Sequence, residues 1–135
     1  MTPTETVQST MPLCATLGIT ASEFAPDRVI LHLDWQAALC TSAGLLHGGV
    51  LMALSDSAGA ASAFLNLPEG ASGTSTIESK TNFLGGVREG ASVTATATPL
   101  HRGATTIVVE TELRTAEGKL VAKTTQTQAV LRPRG

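Results

Sequence analysis

A single carboxylate stands alone in a long apolar stretch. Between His47 and Pro68 the only charged residue is Asp56, set among Val50, Leu51, Met52, Leu54, Ala58, Ala61, Phe64 and Leu65. A segment apolar nearly all round is one that packs inside a fold. A carboxylate there is costly unless it is paired, hydrogen-bonded or kept for reaction. No Lys or Arg in the stretch can pair it, so either another part of the chain supplies a partner or the acid serves chemistry. The stretch opens with His47-Gly48-Gly49. Two glycines before a helix can be plain flexibility at a junction. They can also let a ligand approach unpaired N–H groups at the positive end of a helix, the physics of an oxyanion hole.

Spacing limits how these groups cooperate. Gly48 and Asp56 are eight positions apart, about 12 Å along a helix axis. A carboxylate cannot cross that gap to a carbonyl held at the start of its own helix. If both act on one substrate they come from two chains, and a two-fold axis then makes the site twice. His47 either packs and caps the helix or orients a carbonyl. Ser55 and Ser57 flank Asp56 but lie on other faces of a helix, and no Ser-His-Asp pattern or G-x-S-x-G elbow accompanies them. His32, His47 and His101 lack the spacing of metal ligands, so no metal is expected. Thr74, Ser75, Thr76 and Ser79 follow the helix; one of them could hold Asp56 or a water. Arg88, Arg102, Lys119, Arg132 and Arg134 fall in turns or the tail, where solvated charge is the default and phosphate contact the alternative. Gly49 and Ser57, flanking the two central positions, join Arg88 and Arg102 as candidates for substrate contact.

The elements that must position these groups follow from periodicity and punctuation. Residues 1–10 are polar and read as a flexible N-terminus, and 11–18 as a short helix ending at Gly18. The chain from 19 to 35 reads as extended. Val29, Leu31, Leu33 and Trp35 alternate with Arg28, Ile30, His32 and Asp34, the pattern of a half-buried strand. A loop over 36–46 leads to a helix at about 48–66, closed by Leu67-Pro68-Glu69-Gly70. Residues 74–84, 91–100, 104–115 and 119–131 are rich in Thr, Val, Ile and Ala. Breaks at Gly85-Gly86 with Gly90, at His101-Arg102-Gly103 and at Ala116-Glu117-Gly118 separate them. They read as four strands of an antiparallel meander. One apolar helix needs cover on more than one face, which a wrapping sheet provides: an α+β arrangement in a single domain over 11–131, with a solvated tail at 132–135.

Composition narrows the partners. At 135 residues the chain suits one core. A net charge of -2 and no block of like charge give no electrostatic reason to bind nucleic acid or an anionic membrane. Aromatic residues make up 3% with no Tyr, too few for a base-stacking platform. Cys14 and Cys40 are isolated and read as reduced thiols. No basic leader precedes the first apolar run, and the 47–65 stretch is interrupted by Asp56, Ser and Gly, so a cytoplasmic protein that does not span a membrane is expected.

The stretch from Gly44 to Asp56 resembles the hotdog-fold thioesterases, in particular the branch of the phenylacetic-acid-degradation thioesterase and the Arthrobacter-type hydroxybenzoyl-CoA thioesterase. The matching residues are Gly44-Leu45-Leu46-His47-Gly48-Gly49, then Asp56-Ser57-Ala58. Thr76 through Leu84 corresponds to that family's central strand, and Gly118-Lys119-Leu120-Val121-Ala122 to its last hairpin. The resemblance covers about residues 11–131. It implies an antiparallel sheet wrapped around one long central helix, and hydrolysis of an acyl- or aryl-CoA thioester with no cofactor beyond the CoA of the substrate. By resemblance, Asp56 is the nucleophile or general base. The Gly48 N–H, from the opposite subunit, polarises the carbonyl, His47 supports that turn, and Thr76 stands beside the carboxylate. Homodimers, commonly paired into homotetramers, are implied. Two positions depart from the pattern. Relatives carry Asn or Gln six residues before the motif His, where this chain has Thr41, and the Leu-Arg-Pro at the strand exit is here Leu84-Gly85-Gly86. A non-catalytic acyl-CoA-binding module and a hotdog hydratase or dehydratase are the alternatives; the His-Phe-Pro-Gly run of the latter is missing.

Overall fold

The computed structural model describes residues 1–134. Helices α1 (Pro3–Thr10) and α2 (Pro12–Leu17) lead into strands β1 (Thr20–Ala25) and β2 (Arg28–Asp34). Two single 3₁₀ turns then precede helix α3 (Gly48–Leu65). Strands β3 (Gly73–Phe83), β4 (Ser92–Arg102), β5 (Thr106–Thr115) and β6 (Leu120–Leu131) complete the chain. All six strands form one antiparallel sheet in the order β1-β2-β4-β5-β6-β3, curled around α3.

Alternation builds the inner face. Val29, Leu31 and Leu33 of β2 are buried, and so are Val93, Ala95 and Ala97 of β4 and Ile107, Val109 and Leu113 of β5. Leu51, Leu54, Ala58 and Ala61 of α3 meet them. Alanines on both sides let the helix sit close to the sheet, and Leu54, fully buried at the centre, would cost about 2–5 kcal/mol if cut to Ala. Both cysteines are free; burial pushes the Cys14 thiol above its ordinary value, partly offset by a hydrogen bond with Ser57.

Two expectations are corrected. The first ten residues are not a loose segment: Pro3–Thr10 is a helix, capped by a reciprocal pair in which Thr2 and Glu5 satisfy each other's backbone N–H, and it buries Val7. The last four strands are not a simple meander. β4, β5 and β6 follow one another, but β3 lies beyond β6, while β2 takes the place beside β4. The Gly85–Gly90 break is therefore a crossing from one side of the sheet to the other, and the hairpin reading fails there. The pairing joins segments far apart in sequence, information that local turn residues do not carry.

The sheet's two edges differ. The outer side of β1 is blunted by α1, whose Thr4 hydroxyl accepts from the Ala21 N–H at 2.9 Å and donates to its carbonyl at 3.1 Å. The outer side of β3, eleven residues long, has no partner among the described residues, and Ile77 and Phe83 are exposed along it.

Candidate active site

The loop before α3 is held from several directions. The Thr41 N–H donates to Leu45 O at 2.8 Å, the His47 N–H to Leu39 O at 2.9 Å, and the Leu46 N–H to Val87 O at 3.0 Å. The single Trp, Trp35, donates its Nε1–H to Gly44 O at 2.8 Å. Ala43 and Gly44 are consecutive left-handed residues, with φ of 61° and 70°; such backbone persists when its surroundings over-determine it. This turn delivers His47 as the N-cap of α3, with φ -62° and ψ 134°.

At the helix start each N–H can be traced. His47 Nδ1 accepts from the Gly49 N–H at 2.8 Å, and Nε2 is the ring nitrogen left free of this cap. The His47 carbonyl accepts from Val50 and Leu51 at 2.9 and 3.2 Å. The Gly48 N–H takes no acceptor among the described residues. It borders a cavity of about 350 Å³ lined by Thr41, Leu45, Gly48, Phe83, Gly85 and Gly86. A Cβ at position 48 would stand 3.2 Å from the Phe83 ring, so glycine keeps this approach open. Gly49 has a different task from the one expected. A Cβ there would meet His47 Nδ1 at 2.9 Å, so its bare backbone admits the cap and its own N–H is already engaged.

Asp56 lies two turns further along α3, and here burial is corrected. It is exposed, because the sheet covers one side of the helix and Met52, Asp56 and Phe64 lie on the other. It joins no ion pair among the described residues. Its Oδ1 accepts from the Thr76 hydroxyl at 3.3 Å and from Gln126 Nε2 at 3.2 Å. Thr76 in turn accepts from Gln128 Nε2 at 2.6 Å. Thr76 sits opposite Gln128 in the β3–β6 register, at the edge of a bulge between Thr76 and Glu78 that re-aims the strand. Asp56 Oδ2 has no partner among the described residues and belongs to the open face.

One turn beyond Asp56 a second cavity opens, of about 440 Å³, between Ala60 and Phe64 of α3, Thr74 of β3, Phe24 of β1, and Thr10 and Met11. Among the described residues no charged side chain lines it.

The expected residues thus fall into separate groups. Thr41 and Gly48 share one cavity and Asp56 and Thr76 share a hydrogen bond; among the described residues no hydrogen bond joins the two pairs. Ser57, expected to contact substrate, lies one residue round the helix from Asp56, buried, and donates to Ala53 O at 2.7 Å. Arg88 is exposed in the loop that carries Gly85 and Gly86. Arg102 is exposed at the far end of β4, beside the β4–β5 turn. Sequence reading missed Gln126 and Gln128. The signal was there, in Thr124-Thr125-Gln126-Thr127-Gln128, a strand polar on both faces where one face had to be buried. Among the described residues no three His, Cys, Asp or Glu side chains gather as metal ligands.

The profile of the thioesterase superfamily matches residues 43–122, more than half of the chain. The chain belongs to that superfamily. Its fold is the hotdog fold of these proteins, a six-stranded antiparallel sheet around one long helix. A thioesterase from Haemophilus influenzae is 31% identical, with 98% of this chain and 92% of that one superposed at a TM-score of 0.87. The phenylacetic acid degradation protein PaaI from Thermus thermophilus, solved in a mutant form, is 28% identical over 89% of this chain and 99% of that one, TM-score 0.81. A hypothetical thioesterase protein of Streptococcus pneumoniae, solved with coenzyme A, is 23% identical over 87% and 88%, TM-score 0.77, a likeness of fold. Superfamily and relatives together support a hydrolase.

Proposed function

We propose that this superfamily member is an acyl-CoA thioesterase of the phenylacetate-degradation and hydroxybenzoyl-CoA branch, active as a homodimer at minimum, with a homotetramer as the expected assembly. One observation carries the reading: along a single helix, a carboxylate held by one oxygen and an unpartnered N–H beside a cavity stand too far apart to serve one substrate. A two-fold axis passing midway, near the exposed Met52, sets Gly48 of each copy against Asp56 of the other. The unpaired edge of β3 lies on that same open side and pairs with its own copy under the same axis.

In such a site the Gly48 N–H, at the positive end of α3, receives the thioester oxygen as it gains charge. Asp56 Oδ2 either attacks the carbonyl carbon, expelling CoA thiolate and leaving an anhydride that water opens, or takes a proton from a water that attacks in its place. Both routes end as free carboxylic acid and CoA. Thr41, in the cavity of Gly48, is placed to hold that water or the carbonyl. The uncharged cavity beyond Asp56 suits an aryl or short- to medium-chain acyl tail, and Arg88 suits the CoA phosphates.

The test is thiol release from benzoyl-, phenylacetyl- and hexanoyl-CoA. Asp56→Asn is expected to lose at least about a hundredfold in turnover. Co-expression of Asp56→Asn with Gly48→Pro, each inactive alone, is expected to restore about a quarter of wild-type activity, since half the dimers are mixed and each rebuilds one of two sites. No recovery would place both groups in one chain and refute the composite site. CoA thioester retained without thiol release would mark a binding module instead.

A further inference from the structure

We infer that Gln126, seated by the absence of a side chain at Gly59, is a positioning residue that sets the orientation of the Asp56 carboxylate. The inference rests on the thioesterase reading of Asp56 and extends it to a residue on β6 beneath the helix.

Gln126 is fully buried between α3 and the sheet. Its Nε2 donates to Asp56 Oδ1 at 3.2 Å, while its Oε1, equally buried, has no partner among the described residues. Burying an amide with one end unsatisfied opposes folding, and a Met or Leu of similar size would fill the space without that cost. Packing therefore gives no reason for glutamine here; the bond to Asp56 does. Gly59 makes the same point from the helix. A Cβ at position 59 would stand 2.0 Å from Gln126 Oε1 and 2.3 Å from its Cδ, so a side chain there would force the amide out of its present position. The helix gives up a side chain one turn from Asp56, against its own propensity, so that an amide can reach under it.

The geometry shows what is set. Two donors from below converge on Oδ1, Gln126 directly and Thr76 with Gln128 behind it. With Oδ1 held by both donors, Oδ2 is the oxygen left without a partner among the described residues. The side chains that meet Asp56 in hydrogen bonds, Thr76 and Gln126, are both uncharged, so the effect is directional.

Gln126→Met keeps the volume and removes the donor. Its expected result is a fall in kcat of about tenfold to a hundredfold, KM within about threefold, and a melting temperature unchanged or raised. Gly59→Ala is expected to lower kcat by a similar factor, and the double variant to be no worse than the poorer single one, because both act through one contact. A readout free of turnover is NMR. Asp27, Asp34 and Asp56 are the only aspartates in the chain, so ¹³C-aspartate labelling resolves the Asp56 carboxyl. Its signal should move in Gln126→Met while those of Asp27 and Asp34 stay, and the Gln126 side-chain amide should move in Asp56→Asn. If Gly59→Ala does not fold, Gln126→Met alone decides. The inference is overturned if Gln126→Met keeps kcat within about twofold, if its loss tracks a lowered melting temperature, or if the Asp56 carboxyl signal does not respond. Wild-type protein that cleaves no thioester while the NMR couplings appear would sink the thioesterase reading and leave the contact standing.

Discussion

The two ends of the α3 apparatus are built on opposite rules. At Asp56 the fold supplies donors: Thr76 and Gln126 from the sheet, with Gln128 behind, converge on one oxygen. At Gly48 the fold withholds acceptors. Every neighbouring N–H is engaged by His47, and the one beside the cavity is left open. The difference follows from charge. A carboxylate side chain is in place before substrate arrives and gains from being held. A donor meant for an oxyanion is useful only if nothing competes for it until charge develops. One end thus gathers donors on a single oxygen, and the other leaves an N–H without an acceptor among the described residues.

The sharpest way to break this contrast is to remove the open donor. Position 48 is the first residue of α3, where proline is well tolerated, and His47 already has the extended backbone that a residue before proline prefers. Gly48→Pro deletes the N–H while the helix persists. Its kcat is expected to fall about a hundredfold to a thousandfold. Gly48→Ala introduces the same Cβ pressure on Phe83 but keeps the N–H, and should retain activity within about tenfold if the exposed ring gives way. Equal losses in the two variants would assign the role of Gly48 to space and not to its donor.

A smaller effect tests the saturated end. Thr76→Val keeps shape and removes one of two donors to Oδ1, leaving the buried Gln128 amide without its acceptor. About a tenfold drop in kcat is expected, with some loss of stability from the orphaned amide. Thr76→Ser should restore both. A Thr76→Val enzyme that melts lower yet turns over normally would make this hydroxyl a structural link to Gln128 only.

Much of this arrangement was legible in the residues. The alternation of Val29, Leu31 and Leu33 located β2, and the apolar run with its Gly-Gly start and Pro68 stop located α3, because both signals are local. The separation of Gly48 from Asp56 was legible for the same reason. What escaped is mostly non-local. The place of β3 beyond β6 depends on pairings 39 to 58 residues apart in sequence, and with it went the identity of Gln126 and Gln128 as partners of the site. The exposure of Asp56 escaped because an all-round apolar helix and a helix covered by the sheet on one side only look alike in one chain. The α1 helix is the exception: Thr2-Pro3-Thr4-Glu5 is a local capping signal that polar composition hides.

The weakest expected effect concerns the part of the substrate farthest from either end. Arg88 follows the glycines that line the Gly48 cavity, whereas Arg102 closes β4 next to the β4–β5 turn; both are exposed. If the CoA phosphates leave the thioester through the Gly48 side, Arg88→Ala should raise KM by about threefold to fivefold, leave kcat unchanged, and lose that difference in high salt, as expected for a solvated charge pair. Arg102→Ala should stay within twofold of wild type on the same substrates. Steady-state kinetics at two ionic strengths decides it. A KM effect confined to Arg102 would route the nucleotide toward the β4–β5 turn, and would require a partner copy whose own β4 end reaches across the cleft, a geometry at odds with an axis near Met52 alone.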